Sequence, residues 1–550
     1  LATLSNNLDT VQSEGSLRLP WQFLLITLVY TLSLLVVASA LRVQYGFPLD
    51  DSYIHQTVAR NLATYGIPGF EPGQRSSGTT SILWTCIQAA NYAFLSGIDP
   101  VLYNLCLSWA LLVLIGSLLH RLAHRDGLRP LSCWILAVTP ALCGNFIWLG
   151  LIGMEHLLFT ALTLAAIYFW YDDESRTRRR TAIFAGLCAG LLAVTRPEAM
   201  IFAPLLIVAR PKRLRGVADF AALLGIWSIF VVAVFGVNLY TSHGLMPATM
   251  EGRSWLYFHT SGGPHTLHSL LRFAGSWIMR LPRQFSTGFV TQLTSVTQFD
   301  SEFSLLGLLL AALGMLGAYA LIRQRPARIN FLLLWALLHF CTYMATFPSA
   351  GHGGRYQPLN LLLLFPLLCF GLLWLFERVA ASGARWPRFA VVVLALLGGA
   401  ASLNTWRTVT IDGIGHINDT HAQIGEWMIQ HLPPNAKIAA FDIGRVSYLW
   451  QRGIIDLGAL VDPSYTPYLI SGRVPEYVEQ KEVEYLVLPD DAAAGFGFLG
   501  DRSLKMTLLA RFCSPVQPWL IGFRYTIHAG RCQEIYRLSY PDTVAGNAGH

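Results

Sequence analysis

Two adjacent carboxylates, Asp50 and Asp51, stand in the run Leu49-Asp50-Asp51-Ser52-Tyr53-Ile54-His55, directly after a long apolar segment. A charge at a membrane boundary loses part of its hydration at a real cost. A pair kept there points to acid/base or cation-binding chemistry; the plain alternative is a solvated turn at a helix end. A carboxylate within hydrogen-bond reach of a hydroxyl can take its proton. Arginine supplies the complementary half of a group transfer, because its planar fork pairs with phosphate oxygens and stays charged. Arg196, in Thr195-Arg196-Pro197-Glu198, and Arg355, in Gly351-His352-Gly353-Gly354-Arg355-Tyr356, are the candidates, with headgroup contact as the alternative for each. Glu155 and Glu198 either contact substrate or pair with those arginines to hold helices together. Tyr53, His55, Arg60, His243 and Tyr356 complete the candidate binding residues, Arg60 reading first as a loop anchor and second as a phosphate contact. His416 and His421 belong to no metal-ligand spacing and read as structural.

The elements that must position these side chains are membrane helices. The chain of 550 residues is 53% hydrophobic and 13% charged, with a mean hydropathy of +0.46, which excludes an ordinary soluble protein. Its net charge of +7 is gathered in short loops between apolar runs, which is an orientation signal rather than a nucleic-acid surface. The runs predict about eleven spans: 21–41, 101–119, 131–149, 155–171, 181–194, 199–209, 217–239, 303–322, 330–347, 359–376 and 388–404. The first lacks a small-residue cleavage site and exceeds a signal-peptide core, so it is expected to be retained. The short pair 181–194 and 199–209 is flanked by basic residues on both sides and predicts a buried hairpin. Residues 82–96 predict a helix lying at the interface. The clusters around Arg121–Arg129, Arg176–Arg180, Arg210–Arg215, Arg323–Arg328 and Arg378–Arg388 are expected inside. The loop 42–100 and all the other polar motifs then share the opposite face.

The order of the motifs carries a resemblance. Asp50-Asp51-Ser52-Tyr53-Ile54 is followed by Phe70-Glu71-Pro72-Gly73-Gln74-Arg75 and Gly78-Thr79-Thr80-Ser81. Gly153-Met154-Glu155, Thr195-Arg196-Pro197-Glu198, Tyr240 through Thr249, Gly354-Arg355-Tyr356 and Ile455-Asp456-Leu457-Gly458 come next. The set resembles the GT-C glycosyltransferases, its loop pattern most of all the mycobacterial arabinofuranosyltransferases, with protein O-mannosyltransferases and lipid A aminoarabinose transferases as other relatives. That resemblance implies a polytopic α-helical membrane protein of GT-C type in a bacterial inner (plasma) membrane, with its active site on the periplasmic side. It implies a polyprenyl-phosphate-linked sugar donor, a glycan, lipid or protein acceptor, and inversion at the anomeric carbon. It assigns Asp50 as general base, with Asp51 orienting it or helping to bind a divalent cation (Mg, Mn or Ca). Relatives often carry Pro-Asn-Thr and a nearby Lys where this chain has Pro247-Ala248-Thr249 and none. The other reading is a polytopic transporter or flippase for a lipid-linked sugar. Against it stand the absence of an internal repeat and of paired broken helices in matching halves.

Composition divides the chain into a membrane domain, 1–404, and a C-terminal α/β domain, 405–550, expected outside the cytoplasm. Ile424, Trp427, Met428 and Leu432 recur at helical spacing behind Asp419 or Thr420 as cap. Strands are expected at Lys437–Phe441, Gly453–Leu457, Tyr485–Leu488 and Glu534–Leu538. Seven of the nine cysteines lie in or beside apolar spans, and the other two, Cys513 and Cys532, form a candidate disulfide in an oxidising compartment.

Overall fold

The structure, a computed structural model, describes residues 21–540 apart from 77–78, 173–177, 210–215, most of 251–304, 347–350, 501–503, 516–530 and a few single positions. Arg176, Arg210–Arg215, Gly78 and Ala248, each part of a motif or cluster above, lie outside the described residues.

Among the described residues, five helices are long and apolar enough to cross a membrane: Trp21–Arg42, Pro100–Arg125, Val217–Ser242, Pro358–Val379 and Trp386–His431. The other expected spans fall on shorter or interrupted apolar helices. Residues 131–149, for example, divide into helix Pro130–Val138, a 3-10 turn Thr139–Leu142 and helix Gly144–Trp148. Pro140 lacks an N–H and its ring crowds the preceding turn, which favours the interruption of the helix there. The helix Arg178–Thr195 breaks at Pro197 into the 3-10 turn Pro197–Ile201 and then Phe202–Val208. Local capping is legible where it occurs. Asp99 accepts from the N–H groups of Val101 (2.8 Å) and Leu102 (3.2 Å), with Pro100 at the first helical position. At the far end of that helix Asp126 accepts from the backbone of Arg328 and Ile329 and from the Arg328 guanidinium (3.0 Å), which ties two basic loops together.

The segment after the first membrane helix folds into a helix, Asp50–Tyr65, which ends at Gly66 with φ +69°. This loop helix packs on the helix Ile82–Phe94 and on the helix Gly444–Trp450. Its Ile54 and Val58, one turn apart, share a core with Ile424, Met428, Ile438, Val446, Trp450 and Ile535. That buried face fixes the helix rotation, and with it the directions of Asp50, Asp51 and His55.

The last membrane helix does not stop at the surface. Trp386–Ile417 passes through a π-turn, Asn418–Ala422, into Gln423–His431, a continuous strut of 46 residues. Asp419 and Thr420 therefore sit inside the strut and cap nothing, since no orphan N–H groups are exposed there. Beyond it lie β1 (Ile438–Ala440), β2 (Ile455–Asp456), β3 (Tyr485–Pro489), β4 (Lys505–Cys513) and β5 (Cys532–Ser539). They form one sheet in the order β2-β1-β3-β5-β4, parallel across β2, β1 and β3 and antiparallel from β3 to β4. β4 was not expected. It is an edge strand whose alternation is interrupted by an irregularity between Leu508 and Ala510.

Cys513 and Cys532 face each other in register on β4 and β5 and are joined as a disulfide, 19 residues apart in sequence. Replacing both by serine is expected to lower the stability of the sheet by roughly 3 kcal/mol, the loop entropy returned to the unfolded chain. Chemical unfolding of the detergent-purified protein, with and without the substitutions, measures it; coincident midpoints would refute the estimate.

Candidate active site

Asp51 and His55, one turn apart on the loop helix, line a cavity of about 210 Å³ together with Thr79, Met154, Glu155, Arg196, Thr249 and Tyr356. Its remaining wall comes from the sheet side: Phe441, Gly458, Ala459, Leu460 and Leu469. The wall stands on Asp456, at the end of β2, which accepts from the N–H groups of Gly458 (2.7 Å), Leu460 (2.5 Å) and Val461 (2.7 Å). Three charge-assisted bonds to one buried carboxylate lock the turn into one shape. The site is thus built from two layers, and neither encloses it alone.

The Asp51 carboxylate accepts from the Arg355 guanidinium. Burial works to raise the Asp51 pKa, but Arg355 outweighs it and holds the group below the usual carboxylate range. Arg355 is delivered by a turn of three glycines with left-handed backbones, Gly351 (φ +74°), Gly353 (φ +65°) and Gly354 (φ +75°). A β-carbon on Gly353 would also collide with Trp148, so only glycine serves there. Arg355 is 2% exposed, lies over the Tyr356 ring at 5.1 Å, and leaves its Nε and Nη1 without protein partners. Arg355 is not itself among the cavity-lining residues, but its neighbours Asp51 and Tyr356 are, and a buried guanidinium with unspent N–H donors beside them is prepared for an anionic oxygen.

Arg196 is different, because its donors are spent. It donates to Glu155 Oε1 (2.6 Å), Glu198 Oε1 (2.5 Å) and the Tyr343 hydroxyl. Tyr343 in turn donates to Glu198 Oε1 (2.7 Å) and stacks on Tyr356 with centroids 5.6 Å apart. His55 Nε2 stands 3.7 Å from the other Glu155 oxygen, and its Nδ1 lies 3.2 Å from Thr79 Oγ1. Burial lowers the His55 pKa, against the pull of Glu155 and Asp51, and so favours the uncharged ring.

The remaining candidates lie elsewhere. Asp50 is not among the cavity-lining residues: its oxygens accept from the backbone N–H groups of Gly444 (2.7 Å) and Arg445 (2.7 Å), at the start of the helix Gly444–Trp450. A β-carbon at 444 would strike the Asp50 backbone, so this glycine permits the docking. Burial raises the Asp50 carboxyl to about 6. Tyr53 accepts from the Phe47 N–H (3.0 Å) and lies under Arg445 (4.5 Å), a packing role. Arg60 donates to the Tyr448 carbonyl (2.9 Å) and anchors the loop helix. His243 is exposed at the end of Val217–Ser242.

Sequence reasoning missed Tyr343, Phe441 and Leu469, and it gave Thr249 and the turn after Asp456 only as parts of motifs, with no role in the site. It also missed that His421 meets Asp50 and Asp442, with ligand atoms within 4.8 Å of one another. Those three residues come from segments too far apart for a spacing motif to reveal them.

Residues 411–536 match a domain of unknown function (DUF8728). No curated protein matches the chain. Among solved structures, the oligosaccharyltransferase of Archaeoglobus fulgidus tethered to an acceptor peptide superposes with a TM-score of 0.52 at 13% identity, covering 84% of this chain and 69% of that one. The same archaeal enzyme, AglB, in complex with an inhibitory peptide and a dolichol-phosphate gives 0.51 at 12% identity, with 84% and 69% covered. ArnT of Cupriavidus metallidurans bound to undecaprenyl phosphate gives 0.50 at 12% identity, with 93% and 97% covered. The chain has the fold of the GT-C glycosyltransferases.

Proposed function

We propose that the protein is an integral-membrane glycosyltransferase that moves a sugar from a polyprenyl-phosphate carrier to an acceptor hydroxyl, with inversion. The observation that carries this reading is the pairing of Asp51 with Arg355 at a cavity beside apolar helices, a base and a phosphate ligand held side by side. The fold neighbours solved with undecaprenyl phosphate and dolichol-phosphate support the choice of donor.

In this reading the donor phosphate takes up the free Nε and Nη1 of Arg355 and draws the guanidinium from Asp51. The carboxylate, relieved of its partner, becomes more basic and accepts the proton of the acceptor hydroxyl. The acceptor oxygen bonds to the anomeric carbon as the bond from that carbon to the phosphate oxygen breaks. The electron pair leaves with the phosphate, whose charge Arg355 balances. Roles for the acidic pair are exchanged relative to the order the family resemblance suggests: Asp51 is the base and Asp50 a positioning residue. In the resting site Arg355 takes the place beside Asp51 where a divalent ion had been expected. His55, Glu155 and Tyr356 line the sugar-side wall, and Arg196 and Glu198 hold it in place. The site and the sheet lie on the extracytoplasmic side, opposite the basic loops.

The test is transfer by the purified protein in nanodiscs, offered polyprenyl-phosphate sugars and a panel of envelope-type acceptors. A new glycosidic bond supports the reading; movement of the lipid-linked sugar across the bilayer without transfer would replace it with a carrier. A second expected result concerns Arg355. Arg355→Ala weakens polyprenyl-phosphate binding by about 2 kcal/mol, roughly 30-fold, the loss of a charge-assisted contact. Arg355→Lys recovers only part of it, because a point charge lacks the fork. Unchanged affinity in the alanine variant would remove Arg355 from the phosphate site.

A further inference from the structure

The cluster of Asp50, His421 and Asp442 lies outside the cavity, at the joint between the loop helix, the strut and the sheet. Asp50 opens the loop helix, His421 occupies the π-turn of the strut, and Asp442 follows β1. Gln533, on β5, completes the group by donating its amide to Asp442 Oδ2 at 2.6 Å.

Hydrogen bonding sets the histidine tautomer. The Thr420 hydroxyl spends its one proton on the His416 carbonyl (2.6 Å), so its contact with His421 Nδ1 (2.8 Å) requires Nδ1 to be the donor. In the neutral ring the lone pair is then on Nε2, which stands 3.5 Å from Asp442 Oδ2 and 3.3 Å from the Gln533 amide. A metal-bound imidazole is oriented in this way, with its far N–H held by an oxygen. The separation of 3.5 Å is close to the ligand–ligand edge of a zinc tetrahedron, about 3.3 Å for bonds of about 2.0–2.1 Å. Two further observations point to a bound cation. Gln533 is 2% exposed and its carbonyl Oε1 has no partner; half a turn about its last bond would bring that oxygen to the place where Nε2 now lies, 2.6 Å from Asp442 Oδ2 and 3.3 Å from His421 Nε2. Two carboxylates around one imidazole also gather negative charge that one dication balances.

We infer that Asp50, His421 and Asp442, with the Gln533 carbonyl as fourth donor once its amide has turned, bind a zinc-type divalent cation that staples the sheet to the loop helix. One imidazole with three oxygens suits zinc better than magnesium or calcium, which favour all-oxygen sets. Asp442 is adjacent to the cavity-wall residue Phe441, and Asp50 is adjacent to Asp51. The cation therefore sets the spacing between the two walls while taking no part in the transfer step, so this inference and the proposed function can fail separately.

The full-length protein in detergent, stripped with a chelator and desalted, is offered zinc(II) alone. One zinc per chain by elemental analysis is expected, with an X-ray absorption spectrum containing a single imidazole. His421→Gln and Asp442→Asn should weaken retention by at least about 100-fold. Thr420→Val, which only releases Nδ1, should weaken it by about 10- to 100-fold. Asp51→Asn should retain zinc as the native chain does, and zinc should raise the melting temperature of the native protein but not of Asp442→Asn. No retained zinc in the native protein, or a spectrum without imidazole, would overturn the inference and leave an imidazolium between carboxylates. Equal retention in His421→Gln and Asp442→Asn would overturn it as well.

Discussion

Asp51→Asn loses transfer by 10²–10⁴-fold, about the usual contribution of a general base, while its affinity for the lipid-linked donor is kept or improved. Asparagine is nearly isosteric and still offers an oxygen to Arg355, so the buried guanidinium is not abandoned. It cannot take a proton, and it holds Arg355 less tightly, leaving the guanidinium freer to meet phosphate. A fall in kcat alongside unchanged or tighter donor binding is therefore the signature. Asp50→Asn behaves otherwise. An amide at 50 can accept one of the two N–H bonds now made by Gly444 and Arg445, and it turns a donor toward the other. The sheet docks less firmly, and the expected loss is smaller and falls on KM and stability. Near-full rate in Asp51→Asn with a dead Asp50→Asn would return the base to Asp50. Full activity in both would end the acid/base reading of this helix.

Arg196→Met destabilises the fold by about 3–5 kcal/mol, the usual result of leaving buried charge unpaired. The arginine is 3% exposed and is bonded to both Glu155 and Glu198. Methionine fills the stem but leaves those carboxylates facing each other without a cation. Arg196→Lys should fall between, since one ammonium cannot reach all the partners of a fork. Adding Glu198→Gln to Arg196→Met should recover part of the loss by removing one of the stranded charges. Stability in detergent, followed by chemical unfolding, measures the series. A methionine variant as stable as the native chain would mean that the network contributes nothing to the fold.

Much of this site could be read before its geometry was known. Asp51, Glu155, Arg196 and Arg355 are polar residues at the ends of apolar runs, where a charge is costly unless it is used. Their convergence across some three hundred residues was expressed only by the order of the motifs. What the chain could not express was which of two neighbouring carboxylates enters the cavity. Adjacent helical residues point about 100° apart, and the choice was made by Ile54 and Val58 packing into the sheet core, with Gly444 leaving room for Asp50. His421 was illegible for a related reason, since its companions are supplied by the loop helix and by the far end of β1. The span 131–149 is divided where Pro140 interrupts an apolar run that composition alone treats as uniform, whereas the break at Pro197 falls between the expected spans 181–194 and 199–209. β4 failed because Lys505-Met506-Thr507-Leu508-Leu509-Ala510 has no clean period of two, its register slipping before Ala510.

The strut from Trp386 to His431 makes the two walls of the cavity a matter of angular phase. A helix of 46 residues is about 69 Å long and resists bending far more than a loop would. Whatever lies beyond it turns with it like the far wheel on an axle. The π-turn at Asn418–Ala422 is equivalent to one residue inserted into that axle. Removing a single residue from an α-helical part of the strut would rotate the whole sheet by about 100° and draw it in by about 1.5 Å, carrying Phe441 and Leu460 out of line with Asp51. Lengthening the strut by a full turn would restore the azimuth but raise the wall by about 5 Å. Substitutions within the strut leave this timing intact, whereas insertions and deletions do not, so the length of an apparently plain helix is as much a constraint on the site as the identity of the residues that line it.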